Sequence, residues 1–250
     1  MRLALLSDIH ANEQALDACL AHARALGVDR WAILGDLVGY GAAPVPVVQR
    51  VMALAEQGAL VVQGNHDAMA AHPEDAGKTL GASTAAWTHD QLDPTQRIFL
   101  ASLPLTRRMD SVLLVHASAD APGQWHYVHD ERAATASLDA AAAQPEVRYV
   151  FVGHVHQQTL YYRGAGRGLM RFAPTAGVPV PTPGHRHWLA TVGSVGQPRD
   201  GDPRAMYAIF DADARQLTFH RVAYDHAAAA AAILRAGLPE FFATRLEDGR

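Results

Sequence analysis

MRLALLSDIHANEQALDACLAHARALGVDRWAILGDLVGYG, residues 1–41, decides the fold. The apolar run that starts at Leu3 ends at Ser7 and reads as a strand, followed at once by Asp8-Ile9-His10. From Glu13 to Leu26 the period changes: Leu16, Cys19, Leu20 and Ala23 fall at i, i+3, i+4 and i+7, the stripe of a helix that buries one face. Trp31–Leu34 is again a short apolar run, and Gly35-Asp36 closes it. Strand, helix and strand in this order form a βαβ unit, and each of its strands ends in a polar cluster.

The pattern continues outward. Pro44–Glu56 reads as a helix, and Ala59–Gln63, Val112–Val115 and Val147–Val152 read as strands. After Leu160 the chain turns to strands joined by turns: Thr159–Arg163, Gly168–Phe172, His187–Val192, Met206–Asp211 and Gln216–Val222, with Gly164-Ala165-Gly166 as a hairpin turn. A helix over Asp225–Ala236 is stopped by Gly237 and Pro239. The expected class is α/β, with helices packed outside a sheet or a pair of sheets. No Ser/Gly/Pro-rich linker and no repeat divides the chain, so residues 1–250 are expected to form a single domain. Residues 68–110 lack strand character. Ala82–Leu92 and Thr95–Leu103 look helical, and this insert is expected to wall a cleft.

Composition narrows the function classes. The chain has 250 residues, 49% hydrophobic and 18% charged, which is the balance of a globular protein able to bury a core. A net charge of −4 argues against long nucleic acid as a partner, which needs a basic footprint. No apolar run approaches the roughly 20 residues that span a bilayer, and the run before Ser7 is too short for a signal-peptide core, so a cytoplasmic location and no membrane partner are expected. The single cysteine, Cys19, excludes an internal disulfide and a cysteine-based zinc site.

The chemistry lies in the histidines. Of 14, several stand beside Asp or Asn just after an apolar run. The clusters are Asp8-Ile9-His10, Gly35-Asp36-Leu37-Val38-Gly39-Tyr40-Gly41, Gly64-Asn65-His66-Asp67, His116 after Val112–Val115, and Gly153-His154-Val155-His156. In open α/β sheets ligands bind beyond the carboxyl ends of strands. A single His after a strand is most often a hydrogen-bonded residue without further role. Separate strands that all deliver Asp, Asn and His to one edge form a metal-site pattern, because buried carboxylates and imidazoles need a cation among them. If the segments are extended, Asp8 and His10 share a face, as do His154 and His156. The donors are nitrogen and oxygen only, which suits Mn, Fe, Zn, Co or Ni.

The ordered set Asp-x-His, Gly-Asp-x-x-Gly-Tyr-Gly, Gly-Asn-His-Asp, His and Gly-His-x-His resembles the calcineurin-like metallophosphoesterase superfamily, and the segment Gly193–Gly201 resembles its small prokaryotic phosphodiesterase branch. The resemblance implies two mixed β-sheets packed face to face with flanking helices, an αββα sandwich. It also implies two divalent metal ions, with Mn2+ the first choice and Fe, Zn, Co or Ni as alternatives. Asp8, His10, Asp36 and His156 would hold one ion; Asp36, Asn65, His116 and His154 would hold the other, with Asp36 shared. Two departures from the family's pattern fall outside these positions: Ala11, and Thr191-Val192 before Gly193.

The implied activity is hydrolysis of phosphate esters, phosphodiesters or phosphoanhydrides of nucleotide type. A hydroxide between the ions would attack in line, His66 would protonate the leaving group, and Asp67 would orient His66. The expected partner is a small phosphorylated substrate; the sequence leaves its identity and the oligomeric state open. Trp125 and Tyr127, close after His116, are candidates to stack a nucleobase, against the simpler reading that they pack the loop. Arg199 is a candidate phosphate contact, against a salt-bridged turn with Asp200. Two other functions compete. A serine/threonine phosphoprotein phosphatase would be expected to carry arginines beside these motifs, where this chain has Gln63 and Ala68. A non-catalytic interaction module would be expected to have lost ligands that are all present here.

Overall fold

The apolar runs become strands covered on both faces, which is why they read as continuous rather than alternating. The computed structural model describes residues 1–75, 78–163 and 168–250. Its elements are β1 (Arg2–Leu6), α1 (Glu13–Ala25), β2 (Arg30–Ile33), α2 (Pro44–Glu56), β3 (Leu60–Val61), α3 (Asn65–Ala71), α4 (Ala85–Gln91), α5 (Pro94–Ser102), β4 (Thr106–Met109), β5 (Val112–Val115), α6 (Glu131–Ala141), β6 (Tyr149–Val152), β7 (Gln158–Arg163), β8 (Leu169–Phe172), β9 (Val180–Pro181), β10 (His187–Val192), β11 (Ala205–Asp211), β12 (Gln216–Val222), α7 (His226–Arg235) and α8 (Glu240–Asp248).

The strands form two six-stranded sheets, β3-β2-β1-β11-β12-β9 and β4-β5-β6-β10-β7-β8. Both are mixed: β1, β2 and β3 run parallel in the first, and β5, β6 and β10 in the second. Side-chain parity divides the packing. Leu3 and Leu5 of β1, with Phe210 of β11 and Phe219 of β12, face the other sheet, where they meet Val112 and Leu114 of β5 and Tyr149 and Phe151 of β6. Ala4 and Leu6 point the other way, under Leu16, Cys19 and Leu20 of α1 and Val47, Val48 and Val51 of α2. Leu113, Val115, Val150 and Val152 lie under Ala134 and Leu138 of α6. The result is helix, sheet, sheet, helix, the sandwich expected.

Some elements differ from the sequence reading. Residues 68–110 do contain a strand, β4, whose Thr-Arg-Arg-Met is mostly exposed and pairs only with β5 at the sheet edge, so no apolar pattern marks it. The Gly64–Asp67 cluster opens a helix, α3, which the sequence reading does not include. Two helices, α6 and α8, add to those the periodicity predicts, and β9 is two residues long. The expected turn at Gly164–Gly166 lies outside the described residues.

Candidate metal centre

Every candidate ligand sits just past the carboxyl end of a strand: Asp8 and His10 after β1, Asp36 after β2, Asn65 after β3, His116 after β5, His154 and His156 after β6. Because β1 to β3 are parallel and β5 and β6 are parallel, these ends gather at one edge of the sandwich. Asp8, His10, Asp36, His154 and His156 all have positive φ, between 49° and 67°. The extended geometry expected for Asp-x-His and His-x-His is therefore absent. Left-handed backbone costs on the order of 1–2 kcal/mol per non-glycine residue, and main-chain bonds hold it: Asp8 N–H donates to Gly35 O (3.0 Å), His10 N–H to Asp36 O (3.0 Å), and His154 N–H to Asp8 Oδ2 (2.8 Å). One consequence is that His154 and His156 part company. His156 joins Asp8 and His10, whereas His154 joins Asp36 and His116.

The loops approach so closely that two glycines are obligatory for space rather than for turning. A Cβ at Gly64 would overlap the backbone nitrogen and Oδ1 of Asp36, and one at Gly153 would overlap Ser7 Oγ and Asp8 Oδ2.

Three donor groups have ligand atoms within 4.8 Å of one another: Asp8, His10 and His156; His10, Asp36 and His66; Asp36, His116 and His154. Asn65 Oδ1 lies 3.1 Å from His116 Nε2, which places the amide beside the last group. Backbone carbonyls set the tautomers. Nδ1 of His10 donates to Val38 O (3.1 Å), that of His156 to Gln197 O (2.6 Å) and that of His116 to Leu34 O (2.7 Å). The Nε2 lone pairs then point inward. His10 Nε2 faces His156 Nε2 at 3.1 Å, and His116 Nε2 faces His154 Nδ1 at 3.1 Å. Lone pair against lone pair is stable only with a positive charge between. Asp8 Oδ1 is buried with no hydrogen-bond donor, 3.1 Å from His156 Nε2. The donor set therefore fits two divalent cations, with Asp36 common to both sides.

The carboxylates of Asp36 and Asp8 favour positive charge at this place, and a proton on His116 can supply it when a cation does not. Burial alone would lower the His116 imidazole, but Asp36 and Asp8 outweigh it and raise it to about 9. Burial and then the neighbouring His116 push His154 down to about 4. Asp36 is held well below the ordinary carboxylate range despite its burial, because the imidazoles of His116, His66 and His10 surround it.

His66 and Asp67 take separate roles. The His66 ring stands edge-on to His10 (5.1 Å between centroids) and against Tyr40 (4.4 Å), while its backbone N–H donates to Asp36 Oδ1 at 2.8 Å. Asp67 makes no hydrogen bond to it. The carboxylate accepts instead from the amides of Leu37 (2.8 Å), Val38 (3.4 Å) and Gly64 (2.9 Å). The orienting role expected for Asp67 gives way to a structural one: it ties the loop after β2 to the start of α3.

Beside the group of Asp36, His116 and His154 opens a cleft of about 480 Å³, lined by Asn65, Met69, His72, Trp125, Tyr127 and His154 among others. Tyr127 stacks on His154 (4.0 Å, 24°) and Trp125 meets His116 edge-on (5.9 Å). Arg199 sits against Tyr40, its guanidinium 5.7 Å from the ring centre and bonded to Gln197 Oε1, while Asp200 pairs with Arg221. The expected Arg199–Asp200 turn is thus not a salt bridge. The sequence reading assigns no role to Tyr40, Gln197 or Arg245. Gly-Tyr-Gly after Asp36 is a visible signal for Tyr40. Gln197 serves His156 through its main-chain carbonyl, which no residue type advertises.

Paired nitrogen-and-oxygen cation sites at the strand tips of an αββα sandwich define a dinuclear metallohydrolase. Over residues 1–215 the chain matches the Calcineurin-like phosphoesterase superfamily domain, and it belongs to that family as a metal-dependent phosphoesterase. An uncharacterized protein of Methanocaldococcus jannaschii is 32% identical over 254 residues, covering 99% of this chain and 98% of its own. The crystal structure of a metallophosphoesterase from Sphaerobacter thermophilus superposes with a TM-score of 0.85 at 36% identity, over 100% of this chain and 99% of that one. A hypothetical protein from Pyrococcus horikoshii OT3 shares the fold with a TM-score of 0.78 at 21% identity, over 100% and 98%.

Proposed function

We propose that this phosphoesterase hydrolyses phosphodiester or phosphoanhydride bonds in small nucleotide-type substrates. The observation that carries the reading is the union of donor groups sharing Asp36 with an adjoining cleft whose wall holds two aromatic rings. Asp8, His10, Asp36 and His156 would hold one cation and Asp36, Asn65, His116 and His154 the other, and the pair would supply Lewis acidity for phosphoryl oxygens and acidify water near neutral pH. The chain's own residues do the rest. The carbonyls of Val38, Leu34 and Gln197 hold the imidazoles in one tautomer. His66 gives a proton to the departing oxygen. Trp125 and Tyr127 offer faces to a base, in a cleft whose volume lies in the range of small-molecule sites.

A protein-phosphatase activity is less well supported, because Gln63 and Ala68, not arginines, flank the Gly64–Asp67 turn. Among the described residues no helix is long and apolar enough to cross a membrane. The cytoplasm is the proposed location, on the strength of the single buried, unpaired thiol of Cys19.

The test is a metal-stripped preparation reloaded separately with Mn2+, Fe2+, Zn2+, Co2+ and Ni2+. Each form is assayed on a bis-aryl phosphate, a mono-aryl phosphate, a dinucleoside polyphosphate, a cyclic nucleotide and a phosphopeptide. Mn2+ is expected to restore the highest rate, on the diester and the polyphosphate. Preference for the phosphopeptide overturns the substrate class.

Trp125→Ala is expected to raise KM for nucleotide substrates about 5- to 150-fold, the loss of one stacking contact of about 1–3 kcal/mol, with a smaller change for aryl phosphates. Equal changes for both substrate types would return Trp125 to loop packing.

A further inference from the structure

The helix pair α7–α8 lies beyond the residues matched by the family, 1–215, yet α8 packs beside the metal centre. Its Phe242 is fully buried, with its ring 4.9 Å from that of Tyr40, and Tyr40 in turn stands 4.6 Å from the ring of His10. One turn further along α8, Arg245 reaches over the same region and donates from Nη1 to Oε1 of Gln197 at 3.2 Å. Arg199 donates to that same oxygen from Nε (3.2 Å) and Nη2 (2.7 Å). Gln197 is the residue whose carbonyl holds His156. Two guanidinium groups therefore meet one residue away from a metal-binding imidazole.

They share a neutral amide oxygen and no carboxylate. Nearby acids are committed elsewhere: Asp200 to Arg221, and Asp202 to Arg204 and Arg221. Among the described residues Arg199 and Arg245 have no salt-bridge partner, and both are partly exposed. The Arg245 guanidinium also lies over the face of Phe241, 4.5 Å away. Burial, and then the charge of Arg199, lower the Arg245 pKa. Such a pair is stabilised by an anion, and planar guanidinium forks match phosphoryl oxygens in geometry.

We propose that Arg199 and Arg245 form a subsite for a second phosphoryl group of the substrate, next to the one at the metal centre, and so select phosphoanhydrides over simple esters. This rests on the phosphoesterase reading above. Gln197, which carries both guanidinium groups, bonds His156 through its carbonyl, whereas the aromatic cleft adjoins His154 through the stacked ring of Tyr127. Gln197 holds the two guanidinium groups at a common distance, and Tyr40 separates them from His10.

The test uses the full-length metal-loaded protein and calorimetric titration with imidodiphosphate, a non-hydrolysable pair of phosphoryl groups, and with orthophosphate. The wild type is expected to prefer imidodiphosphate, and Arg245→Gln is expected to lower the ratio of the two affinities about tenfold, the loss of one charge-assisted contact. Arg199→Gln, which sits in a loop, should lower the same ratio, so a failure of α8 to fold cannot imitate the result; thermal melts accompany both variants. The proposal is overturned if the wild type binds both anions alike, or if neither variant changes the ratio. A preference for orthophosphate would assign the pair to free phosphate instead and overturns it too. Binding needs no turnover, so failure of the phosphoesterase reading is scored separately, as absence of hydrolysis by the wild type across the substrate panel.

Discussion

His66→Ala is expected to lose about 10²–10⁴-fold in kcat on alkyl phosphodiesters while still binding two metal ions per chain. The geometry leaves a choice that this variant decides. The ring of His66 lies within ligand distance of His10 and Asp36, so it has the position of either an acid or a ligand. The difference is in its second nitrogen. His10, His116 and His156 each donate Nδ1–H to a backbone carbonyl, the bond that fixes a ligating imidazole. The His66 ring makes no such bond and is held by packing against Tyr40 and His10. A ring free of that restraint can pass a proton to a leaving oxygen. Aryl esters with good leaving groups need little protonation, so they should lose far less than alkyl esters. Metal content is counted by elemental analysis. A drop to one ion, or equal losses on both kinds of ester, removes the acid role.

Asp36→Asn is expected to lower turnover by on the order of 10³-fold and to leave less than one tightly bound ion per chain. Asp36 belongs to two of the donor groups and also accepts the backbone N–H of His66 through Oδ1. Its Oδ2 lies 3.3 Å from His116 Nε2. Neutralising it therefore weakens both cation sites together. The metal-free protein should suffer as well, because His116, raised to about 9 chiefly by Asp36, loses its buried ion-pair partner and is discharged by burial. Removing one partner of a buried pair costs about 3–5 kcal/mol, readable as a lower denaturant midpoint in the presence of chelator. Retention of two ions and of wild-type turnover would show that the carboxylate is not shared.

Much of this site is legible in the linear order of residues. An apolar run that breaks into Asp, Asn or His is a local signal, and Asp8, Asp36, Asn65, His116 and His154 all carry it. The strands are equally plain, since burial on both faces leaves unbroken runs such as Val112–Val115 and Tyr149–Val152. β4 is not legible: an exposed edge strand has no apolar side to show. Nor are the true partners of Asp67, because nearness along the chain to His66 is a poor guide to where its carboxylate turns.

What the order of residues determined by itself was the class of fold and the polar clusters that supply candidate donors, since both follow from short-range patterns of burial and polarity. How the donors are shared out was decided only in three dimensions. His154 and His156 are two residues apart, but left-handed backbone turns them to different donor groups, each completed by residues from other strands. Arg245 stands beside Arg199 only because α8 folds back over Tyr40. Such contacts depend on sheet pairing and helix packing between distant segments, and no local spacing encodes them.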